Sequence, residues 1–278
     1  AQLFYLKFAS SSDIKIGTDG EKSLIRPIVI NQGDIQNAIK DESLLYRLVD
    51  QAFKEELFKI KDQKKSPQYN GLQLINREVI TNYLKQLLHI DIKLAPFTIK
   101  GLEIKVEKTF EFSTPSGTKN LRLGGFIDRL DEVSASESSD HSILGERIRV
   151  IDYKTGRIPS SLPKVVESLF DPNELDKHTD YYLQAMLYSY IVKQSKKLNP
   201  ANESVSPGLL FIQQSGANGY EPTLKFGKEY ISDVSLYKEK FFAGLNHLIS
   251  DIFDPNSHFA PTEKKERCEL CPYKTLCK

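Results

Sequence analysis

Along the chain the spacing of apolar side chains switches from a helical period to an alternating one and back. After a first 30 residues of short apolar runs broken by the turn GTDGEK, residues 42–60, ESLLYRLVDQAFKEELFKI, repeat Leu45, Leu48, Val49, Phe53 and Leu57 near the helical period. The Lys-rich, Pro-containing KIKDQKKSPQYNG ends that helix. A second is expected over 73–89, with Leu74, Ile75, Val79, Tyr83, Leu87 and Leu88 as its apolar stripe. Beyond KLAPF, LEIKVEKTFEF alternates through Leu102, Ile104, Val106 and Phe110 with one irregular step. TPSGTKN then supplies a turn and LRLGGFIDRLDEV returns, which predicts a β-hairpin. A Ser- and acid-rich loop at 134–142 leads to another strand, RIRVIDYKT. The helical period resumes over 176–197, where Tyr182, Ala185, Ser189 and Val192 share a face broadened by Leu183, Leu187 and Ile191. GLLFIQQ is a short strand, and Val234, Tyr237, Phe241, Leu245, Leu248 and Ile252 predict a long core-facing helix over 232–253. Helices before and after a strand meander, with no internal repeat or linker, predict an α/β domain with a sheet covered by helices.

Composition narrows the class. With 278 residues, 40% apolar and 27% charged, the chain can bury a sizeable core, and wholesale disorder is excluded. No apolar run approaches the roughly 20 residues of a membrane span, and no signal-peptide pattern is present, so a cytoplasmic protein without a membrane partner is expected. The opening AQLFYLKFA reads as a start inside a longer protein. Thirty-eight basic against 37 acidic residues leave a formal charge of +1. That balance argues against a large DNA-wrapping surface and permits a cleft whose acidic ligands offset neighbouring lysines.

Candidate chemistry concentrates in VIDYKTG, residues 150–156. A two-residue period puts Asp152 and Lys154 on one side of the strand and Tyr153 on the other. The preceding hairpin contributes Asp128, followed by Asp131, from GGFIDRLD. Carboxylates that converge at a sheet edge repel one another when ionised, and a hard divalent cation offsets that repulsion. Magnesium suits such an oxygen-rich site; it would polarise a phosphodiester, with Lys154 positioning water and countering developing charge. The bland alternatives are an Asp/Lys surface pair beside a turn and, for Asp131, a structural pairing with Arg129.

GGFIDRLD, RVIDYKTG and HTDYYLQAMLYSY, in that order, resemble the PD-(D/E)-x-K nuclease superfamily, particularly the nuclease domains of the RecB and AddB helicase-nucleases. The resemblance covers about 100–278 and implies a restriction-endonuclease-like core, an α/β fold with a central mixed β-sheet flanked by helices. Residues 1–99 then form a helical and irregular region inserted in or packed on that core. The resemblance also implies Mg²⁺ or Mn²⁺ ligation by Asp128, Asp152 and the Tyr153 carbonyl, a water-activating Lys154, and Gln184 and Tyr188 contacting DNA or organising the lysine. Tyr181 shares their helix face, with His178 a further turn back. Such nucleases often carry an upstream histidine in a Gly-x-x-x-His context. Nothing before Asp128 matches it, and His89 reads as an ordinary helix-end residue.

Three cysteines, Cys268, Cys271 and Cys277, lie in CELCPYKTLC and nowhere else. Thiolates this close could hold zinc or an iron–sulfur cluster, or be free. Their spacing resembles the iron–sulfur staple of AddB-type nucleases, which implies a 4Fe-4S cluster in an intact parent and, since no upstream cysteine is present, none in this chain. The expected function is a magnesium-dependent DNA nuclease, an exonuclease acting in recombination or double-strand break repair with a helicase domain or subunit as partner. A noncatalytic DNA-binding or assembly module on the same fold is the alternative. A zinc-binding interaction domain would leave the carboxylates and lysine unexplained.

Overall fold

The computed structural model of the chain describes residues 1–17, 22–62, 64–134, 144–156, 158, 161–214, 220–258, 268–269 and 271–276. The centre of the GTDGEK turn and nearly all of the loop expected over 134–142 lie outside these residues. A short helix α1 (Gln2–Tyr5) and a small hairpin of β1 (Ile14–Ile16) and β2 (Lys22–Leu24) lead to β3 (Ile28–Ile30) and the helices α2 (Gln32–Lys40), α3 (Glu42–Ala52) and α4 (Gly71–Leu94). The start of α3 is set by the Asp41 carboxylate, which accepts the Leu44 N–H at 3.0 Å. At the start of α4, Asn70 and Gln73 each accept the other's backbone N–H at 2.9 Å.

Next come the long hairpin of β4 (Phe97–Thr114) and β5 (Gly117–Val133), then β6 (Arg147–Lys154), α5 (Thr179–Lys193), β7 (Val205–Phe211), a two-residue-strand hairpin of β8 (Lys225–Phe226) and β9 (Glu229–Tyr230), and α6 (Lys238–Ile252). Strands β3-β4-β5-β6-β7 form one sheet in that order, antiparallel throughout except for the parallel pair β6–β7. A parallel pair needs a crossover, and α5 supplies it. The fold is the expected mixed sheet flanked by helices.

Alternation along β6 and β7 divides the core. Ile148, Val150, Leu209 and Phe211 pack toward α5 and α6, whereas Ile151 and Leu210 pack toward the helices that precede β4. In β4 the pleat is interrupted. Glu103 has a φ of 51°, in the left-handed region. Although Leu102 and Ile104 are two residues apart, Leu102 joins the α1–α4 side while Ile104 and Val106 belong to the α5–α6 side.

Three helical stripes differ from expectation. In α4, Leu74, Ile75 and Val79 are 51, 62 and 42% exposed, and the buried face begins only at Thr81. The reason is tertiary: the C-terminal half of α4 packs into the core with the sheet, whereas its first half meets α3 through Arg77 and Glu78 and leaves this stripe exposed. Helix α3 passes into a single π-turn, Phe53–Leu57, which carries Leu57 out to solvent. In α6, Ile249 is buried while Leu248 and Ile252 face outward.

Between α4 and the sheet lies a fully buried charge network. The Arg129 guanidinium donates to both Asp91 oxygens at 2.7 and 2.9 Å, and its Nε lies 2.9 Å from Asp131 Oδ1. Arg149 donates to Asp131 Oδ2 at 2.9 Å, and the Tyr5 hydroxyl donates to Asp91. The Phe97 ring faces Arg129 at 4.8 Å, adding a cation–π contact. Burial opposes the charge on Arg129, but Asp131 and Asp91 outweigh it and hold its pKa well above the ordinary value. Asp131 is thereby accounted for as a structural partner of Arg129 and Arg149.

Two guanidiniums and two carboxylates balance, so removing one leaves a buried charge uncompensated. Asp91→Ala should cost about 3–5 kcal/mol in urea unfolding, and the joint replacement Asp91→Leu/Arg129→Met well under the sum of the two single changes. Additive losses would show that the network does not act as a unit.

Candidate active site

Strands β5 and β6 pair from Val133 opposite Arg147 to Arg129 opposite Ile151, and no further. From there β5 continues beside β4 to Gly117, and β6 beside β7 to Lys154. The sheet therefore forks, and one register step into the fork come Asp128 and Asp152. Where a ladder bond would have been, Asp128 Oδ2 accepts the Tyr153 N–H at 2.6 Å. The fork follows from the sequence locally: Asp128 satisfies the N–H that lost its strand partner, so the opening leaves no orphaned donor.

Lys154 Nζ lies 2.6 Å from Asp152 Oδ2. That oxygen is buried and the ammonium meets it outside hydrogen-bonding directions, so the contact is ionic and the oxygen keeps an unused lone pair. Burial is the largest influence on Asp128 and raises its pKa; the Tyr153 N–H and Lys154 act against it, while the Asp152 carboxylate adds to it. On the other side Lys154 Nζ stands 4.3 Å from the centre of the Tyr181 ring, and His178, left-handed at φ 52°, stacks on Tyr181 with centroids 4.6 Å apart. The first turn of α5 thus holds the lysine in place.

Farther along α5, Tyr188 covers β5 at Gly125. A Cβ there would stand 1.9 Å from the Tyr188 hydroxyl, and one on Gly124 would stand 2.1 Å from the Val106 carbonyl oxygen. The paired glycines of GGFIDRLD let the helix and the neighbouring strand approach this closely. Gln184 Nε2 reaches the Tyr188 hydroxyl at 3.4 Å, a long contact.

The structure therefore brings Asp128, Asp152, Tyr153 and Lys154 together at the fork. Gln184 and Tyr188 lie along the helix above β5, and Tyr181 is the residue of that helix set against Lys154. Asp131 lies in the buried network on the far face, and His89 is an exposed residue inside α4, which runs on to Leu94. Cys268 and Cys271 are free thiols, with the Cys271 N–H 3.3 Å from the Cys268 carbonyl oxygen; Cys277 lies outside the described residues.

Sequence reasoning missed Glu103. The pairs Leu102–Arg129 and Ile104–Ile127 on either side place it across from Asp128, and partial desolvation, then the Asp128 charge, raise its pKa. Its glutamate sits in an ordinary alternating strand pattern, and nothing in the letters marks its left-handed backbone.

Among the described residues no group of three or more His, Cys, Asp or Glu side chains forms a metal centre. Two carboxylates suffice for magnesium, which keeps several waters and takes further oxygens from a phosphate. The buried Asp152 Oδ2 without a hydrogen bond, beside the Asp128 carboxylate, fits such an ion.

Two outcomes follow from this geometry. Gly125→Ala should destabilise by about 1–3 kcal/mol through overpacking, and Tyr188→Ala should absorb much of that cost in the double variant. For Asp128 the folded pKa lies above the unfolded value of about 3.9, so stability is lost as pH rises from that value through the folded pKa. Metal-free Asp128→Asn should hence melt higher than the parent at pH 7, whereas added Mn²⁺ should raise the melting temperature of the parent alone. An equal Mn²⁺ response in both proteins would remove Asp128 from the ion's ligands. In a comparison with known families, the PD-(D/E)XK nuclease superfamily matches residues 26–278, which takes in β3 and α2–α4 as well as the later strands. No curated protein and no solved structure matches the chain.

Proposed function

The chain belongs to the PD-(D/E)XK nuclease superfamily, and we propose that it is a divalent-metal-dependent deoxyribonuclease that hydrolyses phosphodiester bonds at the β5–β6 fork. The observation that carries this reading is the fork itself. It presents Asp128 and Asp152 side by side and sets Lys154 against Asp152 at the end of the same strand.

A Mg²⁺ or Mn²⁺ ion held by Asp128, Asp152 and the Tyr153 carbonyl would supply Lewis-acid polarisation of the scissile phosphate. Lys154 holds the attacking water and places its positive charge against the phosphoryl oxygens as water adds to phosphorus and the sugar oxygen departs. Tyr181 restrains the lysine from below through its ring face, and the buried Asp152 oxygen fixes the ammonium from the other side. Gln184 and Tyr188 are assigned to the DNA backbone next to the fork, with Tyr188 held against Gly125.

The finer reading is an exonuclease of RecB/AddB type, working with a helicase in recombination or double-strand break repair. It is supported by the order of GGFIDRLD, RVIDYKTG and HTDYYLQAMLYSY along the chain. An iron–sulfur cluster held in part by Cys268, Cys271 and Cys277 belongs to the same reading.

Lys154→Ala should lower Mg²⁺-dependent loss of labelled linear DNA by at least about 100-fold, because one electrostatic contact to the transition state is removed. DNA affinity should change little, since one lysine is a small part of a distributed phosphate surface. The measurement compares cleavage, binding and melting temperature of the two proteins. Equal cleavage by both rejects Lys154 as a catalytic residue.

A further inference from the structure

We propose that a lysine-lined cleft at the C-terminal end of α5 is a remote phosphate subsite, which grips the nucleic-acid strand that runs away from the fork. The inference rests on the nuclease reading for its ligand class, and on separate residues for its evidence.

The cleft has a volume of about 600 Å³ and lies between β4, the end of α5 and the start of α6. Lys108, Lys193, Lys196 and Lys238 line it, and among the described residues no carboxylate does. Lys193 is committed to the fold: it lies 3.3 Å from Asp233 and donates to the carbonyl oxygens of Asn202 and Glu203. Lys108 is steered inward by Gln194, to which its ammonium donates. Lys196 and Lys238 are exposed, and among the described residues no carboxylate pairs with either.

Ordinary helix chemistry explains only part of this set. Cations at the end of α5 complement the helix dipole, which accounts for Lys193 and for Lys108 beside Gln194. Lys238 stands where the 3-10 turn Val234–Tyr237, capped by Asp233, runs into α6, so neither a helix C-terminus nor a carboxylate partner accounts for it. Lys108 occupies an inward position of β4, in the row Ile104, Val106, Phe110 and Phe112 that faces α5 and α6. An inward lysine on β4 beside two exposed lysines without a carboxylate partner, all facing one cleft that no described carboxylate lines, points to an anionic ligand.

The cleft also lies on a line from the fork. Moving down β5 from Asp128, Gly125 sits under Tyr188 and Leu123 pairs with Lys108, which reaches Gln194. From Tyr181, against Lys154, to Gln194 the helix rises roughly 20 Å at 1.5 Å per residue. That span is about six phosphates of a stacked strand at 3.4 Å per phosphate.

The test uses Lys196→Ala/Lys238→Ala, neither residue being at the fork. Binding of labelled single strands of about five and about 20 nucleotides is measured in EDTA over a salt series, with inorganic phosphate as a competitor, and cleavage of both strands is measured with Mg²⁺. The expected result is an affinity for the long strand lowered about tenfold, with a salt slope smaller by about 1.4, while binding and cleavage of the short strand stay as in the parent. An unchanged long-strand affinity overturns the subsite. Equal loss for both lengths, or millimolar inorganic phosphate displacing neither strand's length advantage but occupying the cleft alone, overturns it in favour of general charge or a small-anion site. If the parent fails to cleave with Mg²⁺ yet loses its length-dependent binding in the variant, the nuclease reading falls and the subsite stands.

Discussion

The buried network of Arg129, Asp91, Asp131 and Arg149 constrains everything built above it. Each of these groups lost its water on folding, a cost of several kcal/mol per ion that only close and well-directed partners offset. The partners come from α4, β5 and β6, so the network is complete only when all three are in register. A slip of β5 by one residue would turn Arg129 and Asp131 to the other face and drive Asp128 into the apolar layer beneath. The same alternation that buries Arg129 therefore delivers Asp128 to the fork, and the stability of one face specifies the chemistry of the other.

The fork depends on an interruption of regular pairing. A continued β5–β6 ladder would set the two aspartates directly opposite each other as a non-hydrogen-bonded pair and tie the Tyr153 N–H to the β5 backbone. Instead the ladder stops at Arg129 and Ile151, and Asp128 takes up the free Tyr153 N–H with its side chain. The left-handed Glu103 on the neighbouring strand breaks the pleat at the same level, so that the long hairpin turns its apolar row toward α5 and α6 beyond that point. Strain of this kind in a non-glycine residue costs on the order of 1–3 kcal/mol and persists where surrounding packing over-determines it. The carboxylates stand at this discontinuity, Asp128 half-buried and Asp152 buried beside it.

Helix α5 organises the approach. Its first turn restrains Lys154 through the Tyr181 ring, and its middle seals against β5 because Gly125 has no side chain. Its last turn meets the inward Lys108. One crossover helix, required in any case by the parallel β6–β7 pair, thus aligns three polar stations along one side of the sheet.

Much of this arrangement is legible in the letters. The period-two run of VIDYKTG sets Asp152 and Lys154 on one side. GGFIDRLD places a second carboxylate on a neighbouring strand, and the changes of period locate the helices and the hairpin. Such features are local, decided by the alternation of a strand or the turn of a helix within a few residues. The remainder was decided by neighbours distant in sequence. Leu74, Ile75 and Val79 have a sound helical stripe that no described element covers, and Asp91 looks like an ordinary surface aspartate until Arg129 arrives from β5. Tyr181 rather than Gln184 meets Lys154, and Glu103 faces Asp128, because of where a helix axis crosses the sheet and where one backbone turns left-handed. Periodicity in a sequence states which face of an element is apolar. Only packing determines what that face meets, and the desolvation that gives a buried charge its partner exists only once the layers have closed.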